Sequence, residues 1–313
     1  MLDQEAKQWL QDLLGANVDF DEPMARHTSM GIGGSADALA RPATRDQLKA
    51  LLKWSVDHQI PITIIGSGTN LLVRDGGIRG VTICLGRMAA ELRWREQAGS
   101  VAVTAAAGVP TRRLCALALR RGWQGMNFAL GIPGTLGGAL CMNAGTRLGC
   151  MADVVTALTF LTGKGQTMRL DRNEIGFSHR SLSVPIEPGA VPPILLEAEL
   201  VLEKADPGQV RREAETIMRQ RARSQPTWQP SAGCFFRNPS PDQPAGRLIE
   251  EAGMKGAAVG DACVSRRHAN FIINNGRATA ADVLVLTAQV KEAVWQRFRI
   301  RLHPEVRIVG QDN

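Results

Sequence analysis

Phe128-Ala-Leu-Gly-Ile-Pro-Gly-Thr-Leu-Gly-Gly-Ala-Leu-Cys-Met-Asn-Ala-Gly145 carries five glycines, one proline and no charged residue. Glycine lets the main chain turn freely and lets a ligand approach it closely. An uncharged run of this kind can aim backbone N–H groups at an anion. Ala139, Leu140 and Met142 add an apolar side. A single glycine pair here would read as a buried turn, but five glycines favour a cofactor cradle.

A second glycine segment supports that reading. Residues 61–65 form a β-branched strand that runs straight into Gly66-Ser-Gly-Thr-Asn-Leu71. Leu71 stands where the third glycine of a dinucleotide fingerprint belongs, and no Gly-Lys-Ser/Thr ending makes it a P-loop. The expectation is anion binding by the N–H groups of Ser67 to Asn70 in a frame other than the Rossmann fold. Arg74 and Asp75 are expected to fix the loop. A third cluster, His27 to Gly34, reads equally as a plain turn.

Around these segments the chain alternates helices and strands. Residues 2–14 form an amphipathic helix, and a polar loop follows. Thr44 to Gln47 has the form of a capping box, with a helix continuing through Leu48, Leu51 and Leu52. Residues 81–85 and 100–107 read as strands, 110–121 as a helix, and 153–161, 167–170 and 194–202 as strands. Residues 171–174 can cap one helical turn, and Phe177 to Ser181 is a polar knot. Asp206-Pro207 starts a helix that runs to about residue 223. Residues 225–230 form an interdomain or rim loop. Residues 247–254 are helical, and 266–274 lead into a strand. A long helix follows over 279–298, with Val283, Leu286, Val290, Val294 and Phe298 on one face. A strand over 305–309 closes the chain.

With 313 residues, two or three domains are expected. The net charge of +7 suits anionic small molecules such as nucleotides. Aromatic residues are 4% of the chain and tyrosine is absent, which is poor material for stacking bases, so no nucleic-acid partner is expected. The Arg219-Gln-Arg-Ala-Arg223 run reads as the solvated side of a helix. Six cysteines without a C-x-x-C spacing and without a secretory leader read as reduced thiols in a cytoplasmic protein. The histidines show no ligand spacing with them, so no metal is expected. No apolar run approaches the ~20 residues needed to span a membrane.

Arg180, Cys234 and Glu305 sit beside glycine or proline breaks and offer a planar cation, a thiol and an acid. Each has a plainer reading, as a surface charge, a small buried residue and a strand-edge charge respectively. Spacing alone does not bring them together.

The order of the motifs resembles the UDP-N-acetylenolpyruvoylglucosamine reductases, the MurB family. The matching pieces are Thr28 to Gly34, Ile65 to Leu72, Gly131 to Gly138 with Met142 to Gly145, His179-Arg-Ser181, Pro230 to Pro239, His268 to Asn274 and Pro304 to Gly310. They span nearly the whole chain, and the length resembles the shorter family subtype. The resemblance implies an α+β flavoprotein of three domains. Residues 1–80 and 81–205 would hold FAD in the fold of the vanillyl-alcohol-oxidase type (the p-cresol methylhydroxylase type). Residues 206–313 would bind substrate, and the last strand would pack back on the first domain.

On that reading Gly66, Ser67, Gly68, Thr69, Asn70 and Leu71 cradle the cofactor, together with Gly131, Pro133, Gly134, Thr135, Gly138, Asn143, Ala144 and Gly145. NADPH would reduce the flavin. A UDP-sugar enolpyruvyl ether would then take hydride at C3 and a proton at C2. The family's positions imply Arg180 and Glu305 as stabilisers of the enolate-like state and Cys234 as proton donor. They imply Arg237, beside Asn238, as the phosphate-side cation, with His268, Arg307 and His179 as further substrate contacts. A monomer is expected.

Three positions depart from the family pattern. Cys234 stands for serine, and a thiol is the stronger acid, so donation is expected to be easier. His179 stands for tyrosine. Arg237 keeps lysine's charge but not its point geometry.

Overall fold

The computed structural model describes residues 2–88, 91–186 and 191–312. Near the N-terminus is a four-stranded sheet in the order Val18–Pro23, Ser35–Ala40, Ile78–Cys84, Ile62–Ile65. Ile78–Cys84 lies parallel to both of its neighbours, and Val18–Pro23 is an antiparallel edge. Helices Gln4–Leu14 and Arg45–Asp57 cover one face. Leu10, Leu14, Leu48, Leu51 and Leu52 pack there on Ala38, Ala40, Val81 and Ile83. The Thr44 side chain caps the second helix by accepting from the Gln47 N–H.

The next layer is an antiparallel sheet in the order Thr167–Asp171, Val155–Leu161, Ile194–Lys204, Ser100–Ala106, Leu92–Glu96. Its inward residues, Val101, Val103, Leu158, Ala198 and Leu200 among them, bury against helix Thr111–Arg121 and the glycine-rich stretch. Helix Pro207–Ser224 packs here too, through Ala214. A third sheet, in the order Ser231–Cys234, Phe271–Asn274, Ala262–Val264, Ala258–Val259, carries helices Ala245–Glu251 and Ala280–Phe298. Val283, Leu286, Val290 and Val294 are buried in its core, which is the face read from their spacing.

The chain end returns to the first part. Arg307–Val309 pairs in parallel with Leu71–Val73, directly after the Gly66 turn. Asp75 accepts from the N–H groups of Ala280 (2.8 Å) and Ala281 (2.9 Å), capping the long helix from a distant segment. Arg74 pairs with Asp312.

Several elements differ from expectation. The polar loop after the first helix contains strand Val18–Pro23, and Ser35–Ala40 is a strand that the pattern did not signal. The expected break at 80/81 falls inside Ile78–Cys84. The helix expected at 247–254 is Ala245–Glu251, and the strand expected at 305–309 is Arg307–Val309. Helix Pro207–Ser224, placed with the last domain, packs on the middle layer because its apolar face meets that core through Ala214 and Ile217.

Candidate active site

The two glycine segments meet. Thr69 Oγ1 donates to the Pro133 carbonyl at 3.2 Å. A Cβ on Gly66 would stand 2.6 Å from Thr135 Oγ1, and one on Gly134 2.9 Å from Thr69 Oγ1. Gly134 adopts φ 124°, a conformation that a side chain resists. Gly68, at φ 61°, packs so closely that its Cβ would meet the His27 carbonyl oxygen at 1.9 Å. A cleft of about 620 Å³ opens beside this junction. It is lined by Gly66, Ser67, Gly108, Thr135, Arg26 and Arg113. Bare backbone, hydroxyls and two arginines suit a dinucleotide with a diphosphate. Arg26, Arg113 and Gly108 were not singled out by sequence.

The rest of the second segment makes close contacts within the protein. Asn143, at φ 38°, donates from Nδ2 to the Ser178 carbonyl (3.1 Å), and its Oδ1 accepts from Ala152 N–H (3.0 Å). Ala144 is buried, and Gly145 lies against Cys150, where a Cβ would come within 2.5 Å of the cysteine Cβ. Gly138 donates to the Thr135 hydroxyl that caps a short helix. Leu71 is buried in the strand beyond the turn.

Asn143 also explains where Arg180 sits. The polar knot is a hairpin, Gly176–Ser178 with Ser181–Ser183, and His179 and Arg180 form its turn. Arg180 takes φ 59°, which is uncommon for a non-glycine residue. Its Nε lies 2.8 Å from Glu305 Oε1, and the side chains are 22% and 14% exposed. The N–H is not aimed along this contact, so the two groups form a close ion pair rather than an aligned hydrogen bond.

Glu305 is next to Cys234 because the Glu305 N–H donates to the carbonyl of Phe235 at 2.8 Å. Asn70 Nδ2 donates to the Glu305 carbonyl at 3.2 Å, which ties this corner to the first glycine turn. Burial pushes the Glu305 carboxyl up, opposed by Arg180, His179 and Arg237. Burial and the Glu305 carboxylate push the Cys234 thiol up to about 12, opposed by Arg180 and Arg221. The expected advantage of thiol acidity is therefore offset by the fold, and the group stays protonated far above neutral pH.

Arg180, Cys234, Glu305, His179 and Arg237 thus converge from three segments. Asn238 lies beside Arg237, but its Oδ1 accepts from Ala245 N–H (2.9 Å) and shapes the turn into a helix. Arg307 is exposed, and its charge acts on Cys141. His268 has different neighbours. It stacks edge-on against Phe271, and its Nδ1 accepts from the Asn270 N–H at 3.3 Å. Burial pulls its ring pKa down, and the charges acting on it are Lys255 and Glu250.

Arg221 was overlooked by sequence. Arg219 and Arg223 are exposed, and Arg219 pairs with Glu215. Arg221 points the other way and is half-buried, donating from Nη2 to the Gly131 carbonyl at 3.1 Å. The signal was available: Val210, Ala214, Ile217 and Arg221 repeat at helical spacing on the apolar face.

Known proteins resemble this chain along nearly its whole length. Residues 225–309 match the UDP-N-acetylenolpyruvoylglucosamine reductase C-terminal domain, and residues 36–171 match an FAD binding domain. A UDP-N-acetylenolpyruvoylglucosamine reductase of Desulfosudis oleivorans is 44% identical over 99% of this chain and 100% of its own. One from Geobacter metallireducens is 45% identical over 93% of this chain and 94% of its own.

The chain belongs to the UDP-N-acetylenolpyruvoylglucosamine reductase family.

The crystal structure of the reductase (MurB) from Thermus caldophilus superposes with a TM-score of 0.77 at 34% identity, covering 92% of this chain and 98% of that one. The expected α+β architecture, an FAD-binding fold followed by the family's C-terminal domain, is borne out. The protein is an FAD-dependent, NADPH-using UDP-N-acetylmuramate dehydrogenase of peptidoglycan precursor synthesis, acting on a UDP-sugar. Among the described residues no helix is long and apolar enough to cross a membrane.

Proposed function

We propose that Cys234 is the proton donor and that Arg180 with Glu305 stabilises the charge that builds on the substrate. The observation that carries this reading is the convergence of these three residues from distant segments. Ser67 to Asn70 and the Gly131–Thr135 turn would hold FAD, which would supply the hydride chemistry between NADPH and C3 of the enolpyruvyl ether. Hydride addition pushes negative charge through C2 into the substrate carboxylate. The Arg180 guanidinium answers that charge in a site shielded from water, where electrostatics count most. Glu305 orients Arg180 as its ion-pair partner, and burial pushes its carboxyl up. The Cys234 S–H then protonates C2, and solvent restores the thiol.

Arg237 faces the diphosphate, and His179 fills the place of the family's tyrosine beside it. Ser67 to Asn70 and the Gly131–Thr135 turn hold the cofactor, with Arg26 and Arg113 toward its diphosphate. We place Asn143, Ala144 and Gly145 in the support of that cradle and His268 at the margin of the substrate site. Arg307 contacts substrate from the exposed side. The chain reads as two cofactor-binding units and one substrate-binding unit, the first reaching Cys84 rather than residue 80. A cytoplasmic monomer is the state in which we expect it to work.

The test separates the half-reactions. Cys234→Ala should still let NADPH bleach the flavin but slow product formation by about 10²- to 10⁴-fold, the usual worth of a general acid. Cys234→Ser should retain turnover. Full product formation by Cys234→Ala would remove the thiol from the mechanism.

A further inference from the structure

The segment over residues 28–34 touches the Gly66 turn on one side and the strand of Cys234 on the other. It is a stiff turn in its own right. The buried Thr28 hydroxyl donates to the Ile32 carbonyl (2.8 Å) and accepts from the Ile32 N–H (3.2 Å). Ser29 makes both outward links. Its N–H donates to the Gly68 carbonyl at 3.1 Å. Its hydroxyl lies 2.7 Å from the Ser231 carbonyl and 3.5 Å from that of Gly68. One hydroxyl proton makes one good hydrogen bond, and the shorter contact takes it. The Met30 carbonyl accepts from the buried Asn274 Nδ2 at 2.9 Å, so the segment also holds the neighbouring strand, Phe271–Asn274. Strand Ser231–Cys234 needs such a hold. Ser231 pairs with Ile273 and Cys234 with Phe271, but the register slips between them, and Gly233 stands at φ 79°. A bulge leaves an extra residue unpaired, so the ladder alone does not fix where Cys234 stands.

We infer that Ser29 is a positioning residue that fastens the strand carrying Cys234 to the Gly66 turn, so that the cofactor cradle and the proton donor keep one separation. The inference rests on the reading of Cys234 as proton donor. C3 and C2 of the substrate are adjacent carbons, so hydride and proton must arrive across a single bond. Ser29 spans the two sides with one residue, its main chain on the cradle and its side chain on the strand. A reacting group displaced by about 1 Å can lose about 10²-fold in rate, so a rigid link here bears on the chemistry. Ser29 also lines the cleft beside the glycine junction. A direct contact with the cofactor is therefore the competing role, and both half-reactions would feel its loss.

The link is read first without turnover. Hydrogen–deuterium exchange of the FAD-loaded full chain, free of substrate, is followed by mass spectrometry in a peptide covering residues 230–236. Ser29→Ala should exchange there about tenfold faster, the worth of one lost hydrogen bond in local opening. Ser29→Thr keeps the hydroxyl and should restore protection. Ser29→Cys, a weaker donor, serves if the alanine variant fails to fold. The half-reactions are then timed separately. In Ser29→Ala, bleaching of the flavin by NADPH should keep its rate, while product formation from the enolpyruvyl ether slows about tenfold. In a Cys234→Ala background the same substitution should cost nothing further, because the group it positions is gone. Unchanged exchange overturns the inference. Equal slowing of both half-reactions overturns it too, since that assigns Ser29 to the cofactor alone, as does a full additional loss in the Cys234→Ala background. Cys234→Ala with full product formation would instead overturn the proton-donor reading and leave the fastening of the strand, read by exchange, standing.

Discussion

Raising the pH from 8 to 10 during the second half-reaction separates a buried thiol from an ordinary one. The Cys234 thiol is pushed from 9.0 up to about 12 by burial and by Glu305. The proton donor is the protonated form, so a raised value preserves donation and loses it only as pH climbs through the folded value. At the ordinary value, only about a tenth of the thiol would hold its proton at pH 10, a loss of about tenfold. At about 12, the protonated fraction at pH 10 stays near ~99%. That difference is worth about 1.4 kcal/mol in the barrier, well within the reach of stopped-flow measurement. The assay reduces the flavin with NADPH at pH 8, removes excess nucleotide, jumps the pH, and follows reoxidation by the enolpyruvyl ether in a single turnover. The expected result is a nearly flat rate to pH 10. A tenfold fall that disappears in Cys234→Ser would refute the placement of the thiol in a desolvated, Glu305-facing corner.

Replacing Glu305 with Gln leaves Arg180 without its anionic partner; kcat should fall about 10²-fold with a smaller change in KM, the pattern of a lost transition-state contact, as steady-state kinetics would reveal. Gly134→Ala sets a methyl 2.9 Å from Thr69 Oγ1 at φ 124°. That strain, of order 1–3 kcal/mol, should weaken FAD binding measured by flavin fluorescence. Asp75→Ala strips two hydrogen bonds from the start of helix Ala280–Phe298. The loss should cost about 1–2 kcal/mol and lower Tm by a few degrees in calorimetry while kcat at room temperature is retained.

What could be read from sequence was local. The caps at Thr44 and Asp206 and the apolar face of the last helix are short-range patterns, and each formed its element. Strand Val18–Pro23 was invisible because it is an edge strand, where acidic residues and a terminal proline are tolerated. Strand Ser35–Ala40 is half alanine and places Asp37 in the core, where Gly80 N–H donates to it and Arg79 pairs with it from forty residues away. Nothing in its own composition signals a strand. Arg221 was misplaced because a run of arginines was read as one face rather than as two. The convergence of Arg180, Cys234 and Glu305 was never visible in spacing. It came from the resemblance, and the Asn143–Ser178, Glu305–Phe235 and Asn70–Glu305 hydrogen bonds supply its physical basis. Those bonds join residues far apart in the chain, which no window of sequence contains.

The measurement that bears most directly on the whole account is an anaerobic titration of the FAD-loaded protein. NADPH is added until the yellow colour is lost, and UDP-N-acetylglucosamine enolpyruvate is then added in portions. The account predicts that colour returns one equivalent at a time, with UDP-N-acetylmuramate formed in step. A flavin that NADPH bleaches but the enolpyruvyl ether leaves colourless would contradict it, because the cradle would then serve a different substrate.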